Sequence, residues 1–286
     1  MKISVAINTW NERTTIDLCL KALKGFADEV MVVDNGSMDG TPKLARGWID
    51  KLNLCGEVQN IKEKNCYNIR MTALNACSGD WILMLDSTTI LTNDLKTELL
   101  NHARNAGKTF CDVKSLNLIG DYKHYFRNRP FMAYHRIFLP KGFNYVPSIG
   151  RPTFRGSARI ATNWAVNLSR VRPAWRCWYR GEPFDRRYYT RGNKKWANEA
   201  NRQFKWINSS EYYDLIEYVE TEEGKTFQDV KRIAPDWYLN QLRLEATPLE
   251  KHMVEKLPEV LLEELKNPRY KLIKEGEEIV GRHPEL

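Results

Sequence analysis

The sequence predicts an α/β protein, a Rossmann-like sheet with flanking helices, followed by a C-terminal helical region. Three observations carry this. Four short apolar segments alternate with three amphipathic ones before residue 93, the pattern of βα units in a parallel sheet. Turn-rich runs of Gly, Asn and Asp separate them. The 286 residues, 42% of them hydrophobic, suffice for one large or two small domains with buried cores. That composition excludes a disordered, collagen-like or coiled-coil chain.

The elements follow in order. Residues 2–8 alternate and then turn apolar, as a buried strand does. Residues 14–26 carry apolar residues at Ile16, Leu18, Leu20, Leu23 and Phe26, read as an amphipathic helix ending near Gly25. Residues 29–33 form a second strand, stopped by Asp34-Asn35-Gly36-Ser37-Met38-Asp39-Gly40. Pro42, at a first helical position, opens a helix to residue 52. A strand over 57–61, a helix over 66–77 broken by Gly79, and a strand over 81–85 come next; Asn93 then caps a helix to residue 106. Beyond it the pattern changes. A strand is expected over 110–118, and a hairpin from 136–139 and 143–146 around Pro140-Lys141-Gly142. Helices over 227–244 and 249–265 are broken or kinked at Pro235 and Pro258. A last hairpin over 270–280 turns at Glu275-Gly276.

Charge divides the chain. The net charge is +8, yet residues 121–206 hold 19 Lys and Arg against 4 Asp and Glu, with 19 of the 32 aromatic residues. Arg172, Trp175, Arg176, Trp178, Tyr179 and Arg180 typify the interleaving, which suits phosphates and stacked rings. A solvated face with Arg stems packed over aromatic side chains is the other reading. The six cysteines include no CxxC pair, so neither a disulfide framework nor a zinc site is expected. No apolar run reaches the ~18 residues of a membrane span, and the first strand begins too early for a signal peptide; a cytoplasmic protein is expected.

In parallel sheets ligands bind beyond the carboxyl ends of the strands. The polar residues expected there are Thr9, Asn11 and Glu12; Asp34 and Asn35; and Asp86, Ser87 and Thr88. Polar turns would explain any one group, and their convergence points to a site.

Residues 4–12 (SVAINTWNE), 27–41 (ADEVMVVDNGSMDGT), Arg70, and 78–86 (SGDWILMLD) resemble, in order, the motifs of family 2 glycosyltransferases. The resemblance implies a GT-A-type mixed sheet, with residues 1–107 as its nucleotide-sugar-binding βα half. Residues 108–206 would be the basic, aromatic acceptor and catalytic half, and 207–286 a helical extension. It also implies transfer of a sugar from a nucleoside-diphosphate sugar, a UDP-sugar for preference, to an acceptor hydroxyl, with inversion. Thr9, Asn11, Glu12 and Asp34 would hold the donor's base region, Arg70 its diphosphate, and Asp86 a bridging Mn2+ or Mg2+. Capping of the following helix would suffice for Ser37 and Asp39.

The metal motif departs from the family's pattern, because Thr88 stands where a second carboxylate is usual, and hydroxyls are poorer ligands for hard cations. Three readings stay open: Asp86 holds the metal with water and phosphate oxygens, basic side chains neutralise the diphosphate instead, or the scaffold binds without catalysing. For the base that deprotonates the acceptor, the acid-poor segment offers Asp185, then Glu182; a local ion pair with Arg186 or Arg187 is the alternative. His124 and His135 are further candidates as acid, base or metal ligands. The acceptor is a phosphate-bearing glycan, lipid carrier or modified nucleic acid, or else a neutral saccharide or protein. A non-catalytic sugar-nucleotide or nucleic-acid binding protein is the competing function, and self-association through the C-terminal helices is possible.

Overall fold

The computed structural model describes residues 1–37, 39–63, 66–105, 109–119, 121–126, 130–132, 137–143, 145–146, 153–154, 158–171, 246–267, 270–272 and 279–281. β1 (Ile3–Thr9), α1 (Ile16–Leu23), β2 (Glu29–Asp34), α2 (Thr41–Lys51), β3 (Cys55–Asn60), α3 (Cys66–Ala76) and β4 (Trp81–Asp86) alternate as expected. The chain continues through β5 (Thr89–Leu91), α4 (Asn93–Asn105), β6 (Phe110–Asp112), β7 (Ser115–Ile119), β8 (His124–Phe126) and β9 (Phe131–Met132). Then come β10 (Ile137–Pro140), β11 (Tyr145–Val146), β12 (Thr153–Phe154), β13 (Ala158–Ile160) and β14 (Ala165–Arg170). After the undescribed stretch lie β15 (Ala246–Pro248), α5 (Lys251–Val254), α6 (Glu259–Lys266), β16 (Tyr270–Leu272) and β17 (Ile279–Gly281).

The main sheet runs β13-β6-β10-β4-β1-β2-β3. β4, β1, β2 and β3 are mutually parallel, whereas β10 lies antiparallel between β4 and β6. The mixed α/β sheet with flanking helices is therefore as the sequence predicts. Side-chain alternation divides its two faces. Ile3, Val5, Ile7, Val30, Val32, Leu83 and Leu85 meet residues of α1, α2 and α4 on one face. Ala6, Met31, Val33, Ile82 and Met84 meet Ile69, Met71, Ala73 and Leu74 of α3 on the other. The C-terminal Met253, Leu257 and Leu261 belong to the first of these cores, and α6 packs on α1.

Three sequence expectations need correction, whereas the break of the 249–265 helix at Pro258 is as the sequence predicts. Residues 110–118 are two strands, not one: β6 joins the main sheet, while β7 joins a second sheet ordered β15-β8-β7-β14-β5. The 136–146 hairpin is absent, because β10 pairs with β4 and β6 while β11 pairs with β12. Residues 249–265 hold two helices, α5 and α6, with Pro258 as the N-cap of α6. A short strand, β5, follows β4 where none is expected. β16 and β17 pair antiparallel as the last hairpin requires. The helix expected over 227–244 lies outside the described residues.

The amino end of the main sheet is clasped by Glu29. Its carboxylate accepts from the Ser4 hydroxyl (2.5 Å), the Ser78 N–H (2.7 Å), the Ser78 hydroxyl (2.6 Å) and the Lys2 ammonium (2.9 Å). Burial alone would raise the Glu29 pKa; these hydrogen bonds outweigh it and hold the carboxyl down at about 2. Gly79 closes against this clasp so tightly that a Cβ would lie 2.6 Å from Ser4 Oγ and 2.8 Å from the Lys2 carbonyl oxygen.

Candidate functional site

Register gathers the expected residues at one edge. Thr9 stands beside Asp34 across β1 and β2, and Asn8 beside Asp86 across β1 and β4. Asp34 and Asp86 are thus two strand spacings apart, about 10 Å. Alternation sends them to opposite faces of the sheet's edge. Asp34 shares the face of α1 and α2, and Asp86 that of α3.

On the α3 face, Asp86 Oδ1 accepts from Asn8 Nδ2 (2.9 Å) and from Arg70 Nη2 (3.2 Å). The Asp86 side chain keeps 24% of its surface exposed, against 10% for Arg70. A carboxylate and a guanidinium therefore stand together at the mouth of the edge. Asn8 is the residue that sequence reasoning missed. Its signal was a lone amide closing an otherwise apolar strand.

On the other face, Asp34 is fully buried. Its oxygens accept from the Ser37 N–H (2.8 Å) and, in a short contact, from the Ser37 hydroxyl. Burial pushes the Asp34 carboxyl above its ordinary range, the Ser37 bonds pull it back, and the charge of Asp39 adds to the rise. Gly36, at φ +76°, lets the chain turn tightly enough for Ser37 to reach back. The Ser37 hydroxyl in turn receives the Asn11 N–H at 2.6 Å, and Asn11 itself sits at φ +51°, a region Asn tolerates better than most residues. The first two loop tips are tied through this serine.

Glu12 is buried as well, with Thr15 donating to its Oε2 (3.1 Å) while its own N–H bonds Thr41 Oγ1 (2.8 Å). Asp39 accepts from the Thr41 N–H (3.0 Å), but the N-cap of α2 is Gly40 with no side-chain cap bond, and Ser37 serves Asp34 and Asn11 instead of capping that helix. Thr9 Oγ1 and Asn8 Oδ1 are buried with no hydrogen-bond partner among the described residues. Buried polar atoms are nearly always paired, so these two orphans mark an edge built to receive polar groups.

Thr88 turns away from Asp86, donating to Asn167 Oδ1 at 3.2 Å. Among the described residues no three His, Cys, Asp or Glu side chains gather to hold a metal. One carboxylate, Asp86, still fits a cation such as Mg2+, which keeps waters and takes phosphate oxygens for the rest of its shell. Asp185, Glu182 and His135 lie outside the described residues, as does the basic run from Arg172 onward. A groove of about 670 Å³ along α4, lined by residues including Glu98, His102 and Arg159, contains none of the strand-end residues. Among the described residues no helix is long and apolar enough to cross a membrane.

The family described as "Glycosyl transferase family 2" matches residues 4–161, over half of the chain. An uncharacterized glycosyltransferase of Rickettsia bellii is 33% identical over 98 residues, 34% of this chain and 31% of its own length. Glycosyltransferase AglE of Haloferax volcanii is 33% identical over 89 residues, 29% of either chain. The chain spans under a third of the length of these two relatives, 31% and 29%. Among solved structures, S. aureus TarS 1-349 is 14% identical, covering 99% of this chain and 100% of its own, with a TM-score of 0.44. Glucosyl-3-phosphoglycerate synthase of Mycobacterium tuberculosis, solved with Mg2+ and uridine diphosphate, is 24% identical over 41% of this chain and 43% of its own, with a TM-score of 0.32.

Proposed function

Because the chain belongs to glycosyl transferase family 2, we propose that it moves a sugar from a UDP-sugar to an acceptor hydroxyl, with the donor lying along the carboxyl edge of the main sheet. The observation that carries this is the gathering of Asp34, Arg70 and Asp86 at three adjacent elements of that edge, with an unpartnered Thr9 hydroxyl between them. Asp34 accepts the N–H of a uracil-like base. That bond favours the charged form of a carboxyl that burial disfavours, so base binding relieves a penalty already present in the free protein.

About 10 Å along the edge, Arg70 faces the diphosphate, and Asp86 would hold a divalent cation, which would add positive charge for the leaving group. Transfer requires positive charge at the leaving diphosphate, and Arg70 supplies it beside Asp86. Thr88, engaged with Asn167, leaves Asp86 as the protein's carboxylate for that ion. The degenerate metal motif then reads as a site in which guanidinium charge shares the work of a second carboxylate-held position.

A panel of UDP, GDP, CDP and dTDP, each with and without Mn2+, tests this by thermal unfolding. UDP at a hundredfold excess over its dissociation constant is expected to stabilise the protein by about 2.7 kcal/mol, with the other nucleotides weaker. No stabilisation by any nucleotide under either condition would remove the proposal.

A further inference from the structure

We propose that His124 is the base that takes the acceptor's proton and that Asp121 positions it, a role that rests on the sugar-transfer reading above. His124 Nδ1 lies 2.7 Å from Asp121 Oδ1. A carboxylate only accepts hydrogen bonds, so the pairing places a proton on Nδ1, and in the neutral imidazole Nε2 is then the nitrogen with the lone pair. The Asp121 side chain is largely buried, that of His124 27% exposed, and Nε2 has no partner among the described residues. A buried carboxylate orienting a half-exposed imidazole is the arrangement that makes histidine a proton acceptor.

The second sheet carries this pair to the site. Asn167 of β14 stands between Thr89 of β5 and Asn117 of β7. Asn167 Nδ2 donates to Asn117 Oδ1 (2.8 Å) and Thr88 donates to Asn167 Oδ1 (3.2 Å), so these side chains share one face. Residue 119 returns to that face two positions beyond Asn117. The β7–β8 register, Leu118 opposite Tyr125, sets His124 opposite residue 119 and hence on the same face. β7 and β14 run parallel, and the Leu168 N–H bonds the Thr88 carbonyl at 2.8 Å. His124 therefore stands in the second sheet, three strands from β5, whose first residue, Thr89, follows Asp86 by three positions, and on the face that the Thr88 side chain meets.

A purely structural turn does not need the imidazole. Asp121 Oδ1 already closes the turn by accepting the Lys123 N–H at 2.8 Å. In the step itself the acceptor oxygen bonds the anomeric carbon while the bond from that carbon to the diphosphate oxygen breaks. The acceptor proton passes to His124 Nε2, and the electron pair of the broken bond leaves on the diphosphate. The imidazolium that results is stabilised by Asp121.

The test uses the full chain with UDP-glucose, UDP-galactose and UDP-N-acetylglucosamine, water serving as acceptor. UDP release is followed by assay and UDP affinity by calorimetry, for wild type, His124→Ala, Asp121→Asn and Asp185→Asn. In His124→Ala the expected result is at least a hundredfold loss of release, UDP affinity within twofold of wild type, and partial rescue by added imidazole. Asp121→Asn retains an acceptor for Lys123 and is expected to lower release about tenfold or more at unchanged UDP affinity. Release by His124→Ala at the wild-type rate overturns the assignment. So does a loss that imidazole does not restore, or one confined to Asp185→Asn. Wild-type protein that neither binds UDP nor releases it from any donor sinks the sugar-transfer reading instead.

Discussion

Asp34 and Asp86 end the strands on either side of β1 yet do different work, and their surroundings say why. Asp34 is buried, raised by that burial and held by Ser37 of its own turn, so a base that reaches it shares an oxygen with those bonds. Asp86 keeps a solvent face and shares one oxygen between Asn8 and Arg70, which suits an ion and a diphosphate that come and go. Replacing Asp34 by Ala is expected to weaken UDP binding by about 1.5–3 kcal/mol, the range for a hydrogen bond to a charged group, read by calorimetry. Asp86→Ala is expected to lower turnover far more than UDP affinity, read by comparing donor hydrolysis with UDP binding. Both acids were legible in the sequence because they end apolar runs. Asn8 was not, since its bond to Asp86 exists only once β1 and β4 are in register.

At the scale of elements, the helix starts show what local reading can and cannot settle. Sequence puts the cap of α4 at Asn93. The structure gives the role to Thr92, whose hydroxyl accepts the Leu95 N–H (3.3 Å) and donates to the Trp164 carbonyl (2.6 Å). Thr92→Ala is expected to lower stability by about 1 kcal/mol for the cap, with the orphaned carbonyl adding to it, in urea unfolding. The parallel βα core was readable because its periodicities are local. The break between β6 and β7 was not. Residues 110–118 read as one strand, and only long-range pairing, with β10 and β13 on one side and with β14 and β8 on the other, sends the halves to different sheets. The turn at Pro140-Lys141-Gly142 was likewise visible, Gly142 standing at φ +76°. The strand before it, β10, is claimed by β4 far away in the chain, and the strand beyond it, β11, pairs with β12.

For the molecule as a whole, the clasp at the amino end of the sheet sets the response to acid. Glu29 titrates at about 2 when folded, against an ordinary value of 4.5. A group whose folded pKa is depressed contributes stability above its unfolded pKa and loses it as pH falls through the folded one. The contribution here is about 3 kcal/mol, complete above roughly pH 5 and gone near pH 2. Chemical unfolding of Glu29→Gln and wild type is expected to show a gap in stability that closes between those limits. A gap that stays constant with pH would rule out this clasp as the titrating element. The basic, aromatic segment was the clearest compositional feature of the sequence, but composition alone does not place it in the fold.

β1 is bonded on both flanks, and its last two residues serve different neighbours. Asn8 steadies Asp86, while the Thr9 carbonyl receives the Asn35 N–H at 3.0 Å. An extra amino acid inserted between Ile7 and Asn8 would exchange the faces these two present. Loops elsewhere absorb such insertions readily. Here one codon would uncouple the Asp34 end of the sheet's edge from its Asp86 end in a single stroke, leaving most of the core intact around an edge that no longer holds together.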